Sequence, residues 1–453
     1  MAVIADRCPH IQVTVVDLNA ARIASWNDDD LSKLPVFEPG LDQIVGRCRG
    51  KNLHFSTSVE AAIAAADMVF LSVNTPTKLR GVGAGQASDL RWIEASARQV
   101  GKCAQGHTII VEKSTLPVRT AATIQAILSA AQNDPSTDGS AKTFSVLSNP
   151  EFLAEGTAIT DLENPDRVLI GGEDPEAIET LASVYQNWIP DERILRTNLW
   201  SSELSKLTAN CFLAQRISSI NSIAAICEAT GANVHEVAKA IGTDSRIGGK
   251  FLKPGPGFGG SCFQKDILNL VYLCGHYGLH EVGDYWRKIV EINEWQQHRI
   301  ARMIVQRLFG TVSGKTLGIL GFAFKADTND TREAPAIQVC RDLLEEGAHL
   351  RIYDPKVTDR QIQQDIGRAP EKKITSSGLG AEGTWERVET TVEAGEGADA
   401  LIILTEWAEF RNIDWEVMAK IMRRPAWVFD SRAIADSKSA LAEGFNVWTV
   451  GVG

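Results

Sequence analysis

ADMVFLSVNT (66–75) and ADALIILTEW (398–407) follow one pattern: an Ala-Asp turn, an apolar run, then polar residues. Outward from these copies the likeness continues. TVVDLN (14–19) and RIYDPK (351–356) both read as strands that end in Asp. More apolar runs follow on the first side, TIIVEKS (108–114), FSVLSNP (144–150) and DRVLIGG (166–172). On the second side stand KTLGILGFAF (315–324) and AWVFDS (426–431). Apolar strands separated by helical stretches predict parallel sheets covered on both faces. Between the two sides the period changes. SSELSKLTANCFLAQRISSINSIAAICEATG (201–231) and HEVGDYWRKIVEINEWQQHRIARMIVQRLF (280–309) carry apolar residues at helical spacing. The fold expected is α/β, with two Rossmann-like parallel-sheet domains joined by a helical middle region. The boundaries fall at 1–198, 199–308 and 309–453. Arg368 to Gly383, rich in small residues, reads as a surface excursion.

The two copies differ at their starts. Gly318 lies a strand, a turn and a helix ahead of Asp354, whereas only 16 residues precede Asp17. No G-x-G-x-x-G stands before Asp17, and MAVIADRCPH supplies only the end of a helix. The expectation is that the first strand and glycine-rich loop of the 1–198 domain are missing.

Composition narrows the function classes. The chain has 453 residues, 44% hydrophobic and 23% charged, an ordinary globular balance that excludes a disordered or fibrous chain. No apolar run approaches the ~20 residues that span a bilayer, so no membrane partner is expected. Forty-six basic against fifty-seven acidic residues give a net charge of −11. That balance argues against a nucleic-acid partner but permits an anionic small molecule held by a few local cations. None of the eight cysteines forms a CxxC pair and no histidine falls in a ligand pattern, so no metal is expected. No cationic and apolar leader is present, which makes the cytoplasm the expected compartment.

Chemistry-bearing residues cluster in a few segments. Asp17 ends a strand where a dinucleotide fold places the acid that binds ribose hydroxyls, with Arg22 five residues on. VNTPT (73–77) follows a strand and suits a crevice loop, or a plain turn. FLKPGPGFGGSCFQKD (251–266) is the sharpest feature. Its glycines make a loop that a ligand can approach. Ser261 is expected to cap a helix and place Cys262 in the first turn, where free amides favour a thiolate. Asp266 shares that face. Glu151 and Glu155 are spaced as a carboxylate pair for acid/base work. Lys206 and Asn210 are donors suited to a developing oxyanion. Each pair also reads as a solvated helix face. Lys325 and Arg332, in GFAFKADTNDTRE (321–333), suit a diphosphate or a cofactor phosphate.

Together these residues resemble the UDP-glucose 6-dehydrogenase family in its animal-type form. The likeness includes SVNTPTK, EKSTLPVR, LSNPEFLAEGTAI, NPDRVLIGG, SSELSKLTAN, GFGGSCFQKD and LGFAFKADTNDTRE. It implies oxidation of a sugar nucleotide's primary alcohol to a carboxylate with two NAD+. Cys262 then resembles the nucleophile, with Lys206, Asn210 and Asp266 as its polar partners. Thr115 and Glu151 resemble the water-positioning and acid/base residues. Glu151, Phe152, Leu153, Ala154, Glu155, Lys206, Asn210, Arg246, Lys253, Phe258, Gly259, Lys325 and Arg432 look like substrate contacts. Asp17, Arg22, Val73, Asn74, Thr75, Pro76, Thr77, Ser114, Thr115, Glu155 and Arg332 look like NAD contacts. The chain reads FDSRA (429–433) where the family usually has FDGRR, so Ala433 replaces an arginine. Two alternatives remain open: another nucleotide-sugar dehydrogenase, or an inactive sugar-nucleotide-binding subunit that has lost its cofactor loop. Apolar AQRISSINSIAAI (214–226) predicts a homo-oligomer, a two-fold dimer or higher.

Overall fold

A computed structural model describes residues 1–114, 119–132, 142–367 and 383–453. The expected excursion at 368–383 lies outside them except for Gly383, as does Thr115. The chain forms two compact units, Met1–Ala209 and Asn210–Gly453.

Among the described residues the first unit has seven strands. They are β1 (Val13–Val16), β2 (Leu53–Ser56), β3 (Met68–Leu71), β4 (His107–Glu112), β5 (Thr143–Ser148), β6 (Val168–Gly171) and β7 (Ile194–Thr197). Among the described residues β1 pairs in parallel with β2 alone, and a separate sheet runs β3-β4-β5-β6-β7. One departure from the expected parallel sheet is that β5 and β6 meet antiparallel, through Ser148 and Gly171. β4 and β5 are deeply buried, and Ile110, Val111 and Leu147 are fully enclosed. Val13 of β1 and Leu53 of β2 share a cluster with the helix Ala2–Arg7, and Phe70 of β3 packs against it. Among the described residues no strand joins β1 to β3.

The second unit contains β8 (Thr316–Leu320), β9 (His349–Tyr353), β10 (Thr384–Arg387), β11 (Ala400–Ile403), β12 (Trp427–Asp430) and β13 (Asn446–Thr449). They form one sheet, all parallel, in the order β10-β9-β8-β11-β12-β13. This is the doubly wound order with the first strand of the set at the centre. Gly318 of β8 lies so close to Ala394 and Leu401 that a Cβ there would stand 2.5 Å from the Ala394 carbonyl. The helical middle runs as Leu199–Thr230, Val234–Gly242, Phe263–His276 and His280–Arg307. In open α/β sheets ligands bind beyond the carboxyl ends of the strands. There stand Asp17 after β1, residues 73–77 after β3, Ser114 after β4, Glu151 after β5 and Arg432 after β12.

Candidate active site

In the first unit, two groups of predicted residues take shape. Asp17 follows β1 directly and accepts a hydrogen bond from the Asn19 amide at 2.8 Å. Asn19 caps the next helix by accepting from the Arg22 amide. That turn brings the Arg22 guanidinium to 3.6 Å from the Asp17 carboxylate, which stays 35% exposed. Asp354, the matching strand-end acid of the second unit, is fully buried. Its oxygens accept from the amides of Phe322, Ala323, Lys356 and Val357 and from the Trp407 indole. Of this pair, Asp17 retains a partly exposed carboxylate. Beyond β3, Thr75 is buried, and the Ser114 hydroxyl donates to the Val73 carbonyl at 2.8 Å. Asp17 thus lies beside Arg22, and Val73 beside Ser114.

Glu151 and Glu155 do not share a helix: residues 151–154 are extended loop, and the helix there is Ala158–Glu163. Gly156, directly after Glu155, holds a left-handed backbone at φ 82°, which breaks helical continuation there. Glu151 instead accepts from the Leu153 amide at 2.8 Å and pairs with Lys206 Nζ at 3.2 Å. Lys206 is 4% exposed and also lies over the Phe152 ring, at 5.5 Å. A nearly buried ammonium beside one half-buried carboxylate is a donor with a proton acceptor already in place. Leu153, Ala154 and Glu155 continue the same loop. Two residues outside the sequence-based set hold it. Glu38 accepts from the amides of Gly156 and Ala158 at 3.0 and 2.6 Å. Buried Asn149 accepts from Lys113 Nζ and from the Tyr185 hydroxyl.

In the second unit, Cys262 sits one position earlier than expected. It is itself the N-cap of the helix Phe263–His276, and its carbonyl accepts from the Asp266 amide at 2.9 Å. It therefore stands at the N-terminal end of that helix, where the dipole favours an anion. The Ser261 hydroxyl is 3.4 Å from Sγ. Asp266 is 1% exposed and accepts from Asn210 Nδ2 at 2.6 Å. Cys262 is half-buried, whereas Cys211 and Cys340 are fully buried and burial pushes both thiols far up.

The glycine loop is closed by the protein itself. Gly257 has φ +132°, and a Cβ there would stand 2.7 Å from Asn293 Oδ1. At Gly259 a Cβ would stand 2.4 Å from the Glu333 carbonyl. Three buried amides clamp the segment. Asn221 accepts from the Gly255 amide, Gln296 donates to the Gly255 carbonyl, and Asn293 binds both backbone groups of Phe258. None of the three stood among the predicted residues. For Asn293 and Gln296 the signal is a polar side chain on a buried stripe: Trp286, Ile289, Asn293, Gln296 and Ile300 are all buried at three- and four-residue spacing.

Arg432 is held after β12 by the carbonyls of Leu404 and Phe324 and by Glu406 at 3.0 Å. It lies beside Gly255. Lys253 is lowered from the usual lysine range by burial, with Arg432 and Arg411 adding repulsion and Glu406 opposing them. Such converging cations suit a diphosphate. An open cavity of about 350 Å³, lined by His235, Lys239, Thr243, Leu252 and Lys253, adjoins them. Lys325 occupies the loop after β8, 5.6 Å from the Phe324 ring. Arg332 and Arg246 are not drawn into this cluster. Each pairs with its own Asp two residues away, Asp330 and Asp244, and Arg246 is 86% exposed. Among the described residues no group of three or more His, Cys, Asp or Glu could hold a metal ion.

The chain matches three family models. They are the NAD binding domain of the UDP-glucose/GDP-mannose dehydrogenase family over residues 1–189, its central domain over 200–295 and its UDP binding domain over 318–437. The UDP-glucose 6-dehydrogenase of Gallus gallus is 54% identical over 460 residues, covering 99% of this chain and 90% of the relative. UDP-glucose 6-dehydrogenase 1 of Glycine max is 53% identical, covering 100% and 94%. A solved UDP-glucose dehydrogenase from Pyrobaculum islandicum superposes with a TM-score of 0.82 at 28% identity, covering 99% of this chain and 94% of that one.

Proposed function

Because the chain belongs to the UDP-glucose/GDP-mannose dehydrogenase family, an NAD-dependent nucleotide-sugar dehydrogenase, we propose that it oxidises UDP-glucose to UDP-glucuronate. The observation that carries this reading is Cys262, a half-buried thiol at a helix N-terminus with the Asp266–Asn210 pair one turn on. Primary alcohol to carboxylate is a four-electron change, and NAD, when bound, accepts a hydride in each of two oxidations. By the family resemblance, Asp17 and Arg22 bind the adenosine end, and residues 73–77, Ser114, Thr115, Glu155 and Arg332 are the further NAD contacts. The Cys262 sulfur bonds to C6 at the aldehyde level, giving a thiohemiacetal, and after the second oxidation a thioester. Lys206 and Asn210 stabilise the charge that develops on the C6 oxygen. Glu151 moves the proton, with Thr115 positioning the water that releases the acid.

Lys253, Arg432 and Lys325 hold the diphosphate, Phe258 and Gly259 border the sugar, and Arg246 completes the contacts. The region 199–308 serves dimerisation, flanked by the cofactor domain 1–198 and the UDP-sugar domain 309–453. The enzyme works in the cytoplasm, the compartment where a cysteine nucleophile stays reduced. The test is Cys262→Ser assayed for NADH and UDP-glucuronate. A serine alkoxide is far harder to generate, so UDP-glucose binding persists and acid formation stops. Acid formation at the unsubstituted rate overturns the covalent step. A higher kcat/KM for GDP-mannose than for UDP-glucose overturns the substrate.

A further inference from the structure

Glu112, the last residue of β4, is 2% exposed, and neither of its carboxyl oxygens receives a donor among the described residues. The group that faces it is another acid, Glu203, 4% exposed and one helical turn before Lys206. Glu203 is well supplied. Its oxygens accept from the amides of Arg119 at 2.7 Å and Ala121 at 2.9 Å, and the Thr120 amide points the same way. These amides open the helix Thr120–Gln132. Arg119 there holds a left-handed backbone, φ 78°, a conformation that persists only where the surroundings enforce it.

Two ionised carboxylates cannot share so dry a place. The amides favour charge on Glu203, so the proton belongs to Glu112. We propose that Glu112 is protonated at neutral pH and donates to Glu203, and that this shared proton is a positioning device joining the end of β4, the start of the helix Thr120–Gln132 and the turn that carries Lys206. Both acids are positioning residues. Ser114, on the cofactor side of the proposed reaction, lies two residues after Glu112, and Lys206 three after Glu203. The functional consequence rests on the proposed dehydrogenase reading; the shared proton does not.

Burial and the Glu203 charge hold the Glu112 carboxyl well above the usual carboxylate range. The other charged groups nearby are engaged elsewhere. Lys113 Nζ donates to Asn149, the Arg119 guanidinium lies over the Trp200 ring, and Lys206 pairs with Glu151. Rising pH therefore removes the Glu112 proton, sets two anions against each other and loosens Glu203 from the amides.

Infrared difference spectroscopy of the whole protein tests this without any substrate. The expected result is a protonated-carboxyl carbonyl band at neutral pH in the unsubstituted protein that fades as pH rises and is missing from Glu112→Gln. Glu112→Gln keeps a permanent donor, so exchange at the Arg119 and Ala121 amides stays within about threefold of the unsubstituted protein. Glu112→Ala speeds it about tenfold, the loss of one charge-assisted hydrogen bond. In turnover, kcat/KM for NAD is expected to fall at alkaline pH in the unsubstituted protein and to hold level in Glu112→Gln. The proposal is overturned if no band depends on Glu112, or if the glutamine and alanine variants exchange alike. A band present with no turnover overturns the functional reading and leaves the shared proton standing.

Discussion

Asn293→Ala is the most direct test of how the catalytic segment is held. Asn293 is 1% exposed, accepts from the Phe258 amide at 2.8 Å and donates to the Phe258 carbonyl at 3.1 Å. Alanine leaves both backbone groups buried without a partner, and each such group costs about 1–3 kcal/mol. Water entering the vacated space recovers part of that, so the loss comes to about 2–4 kcal/mol. Unfolding of a two-unit chain is not a single transition, so the local measurement is native-state hydrogen exchange at the Phe258 and Gly260 amides. At ~1.4 kcal/mol per decade, protection there falls by about 30- to 1000-fold. Asn412→Ala, at an exposed position, leaves it unchanged. Because Cys262 follows this loop directly, kcat/KM for UDP-glucose falls as well, by about 100-fold for a displacement of ~1 Å. Protection within threefold of the unsubstituted protein refutes the clamp.

Four other outcomes are expected. Iodoacetamide labels Cys262 first and UDP-glucose protects it, while buried Cys211 and Cys340 stay unlabelled; peptide mapping that finds them labelled ahead of Cys262 counts against the nucleophile. Light scattering gives a dimer or larger, and Phe212→Glu with Ile226→Glu, at positions 53% and 56% exposed, shifts it toward monomer. The amides of Thr14 and Val16 exchange near the free-peptide rate, because Val13 and Asp17 take the β2 side of β1; slow exchange there means that β1 is paired on both edges. Asp174 caps the helix Pro175–Tyr185, and the Ser145 hydroxyl holds its carboxyl below the usual range. Its contribution is full above the ordinary carboxylate pKa and is lost as pH falls through the depressed value. Asp174→Ala therefore costs about 1 kcal/mol at neutral pH and less in acid, readable by native-state hydrogen exchange at the first amides of that helix.

The strands that the sequence hides are the outermost ones. LHFS in β2, ILRT in β7, TWER in β10 and NVWT in β13 each end a sheet order, and none is a continuous apolar run. An edge strand is half-solvated, so polar residues alternate into it and erase the signal that buried strands such as VLIG of β6 display. The site divides along similar lines. Cys262, Asp266 and Lys206 stand in local contexts that chemistry makes conspicuous. Asn221, Asn293, Gln296 and Glu38 act through backbone groups 34 or more residues away, and no local pattern records that. The one-residue misplacement of the Cys262 cap has a similar origin, since Ser261 is the better capping side chain but the backbone of the loop decides where helical hydrogen bonding begins.

The internal duplication shows how one strand-end acid comes to serve two purposes. Asp354 and Asp17 both follow a strand, but Asp354 stands beside β8, whose following loop turns the Phe322 and Ala323 amides onto it. With the Trp407 indole and two further amides, its carboxylate is used up in holding the second unit's own loops. β1 has no such neighbour on its other edge among the described residues, and Asp17 is left with one amide and a stretched ion pair to Arg22. A buried, saturated acid fixes structure. A half-exposed acid beside an arginine, at the carboxyl end of a parallel strand, still has lone pairs to offer a ribose. The same residue at the same point of the same pattern is thus structural in one unit and suited to binding in the other, and the difference lies in what pairs with the neighbouring edge.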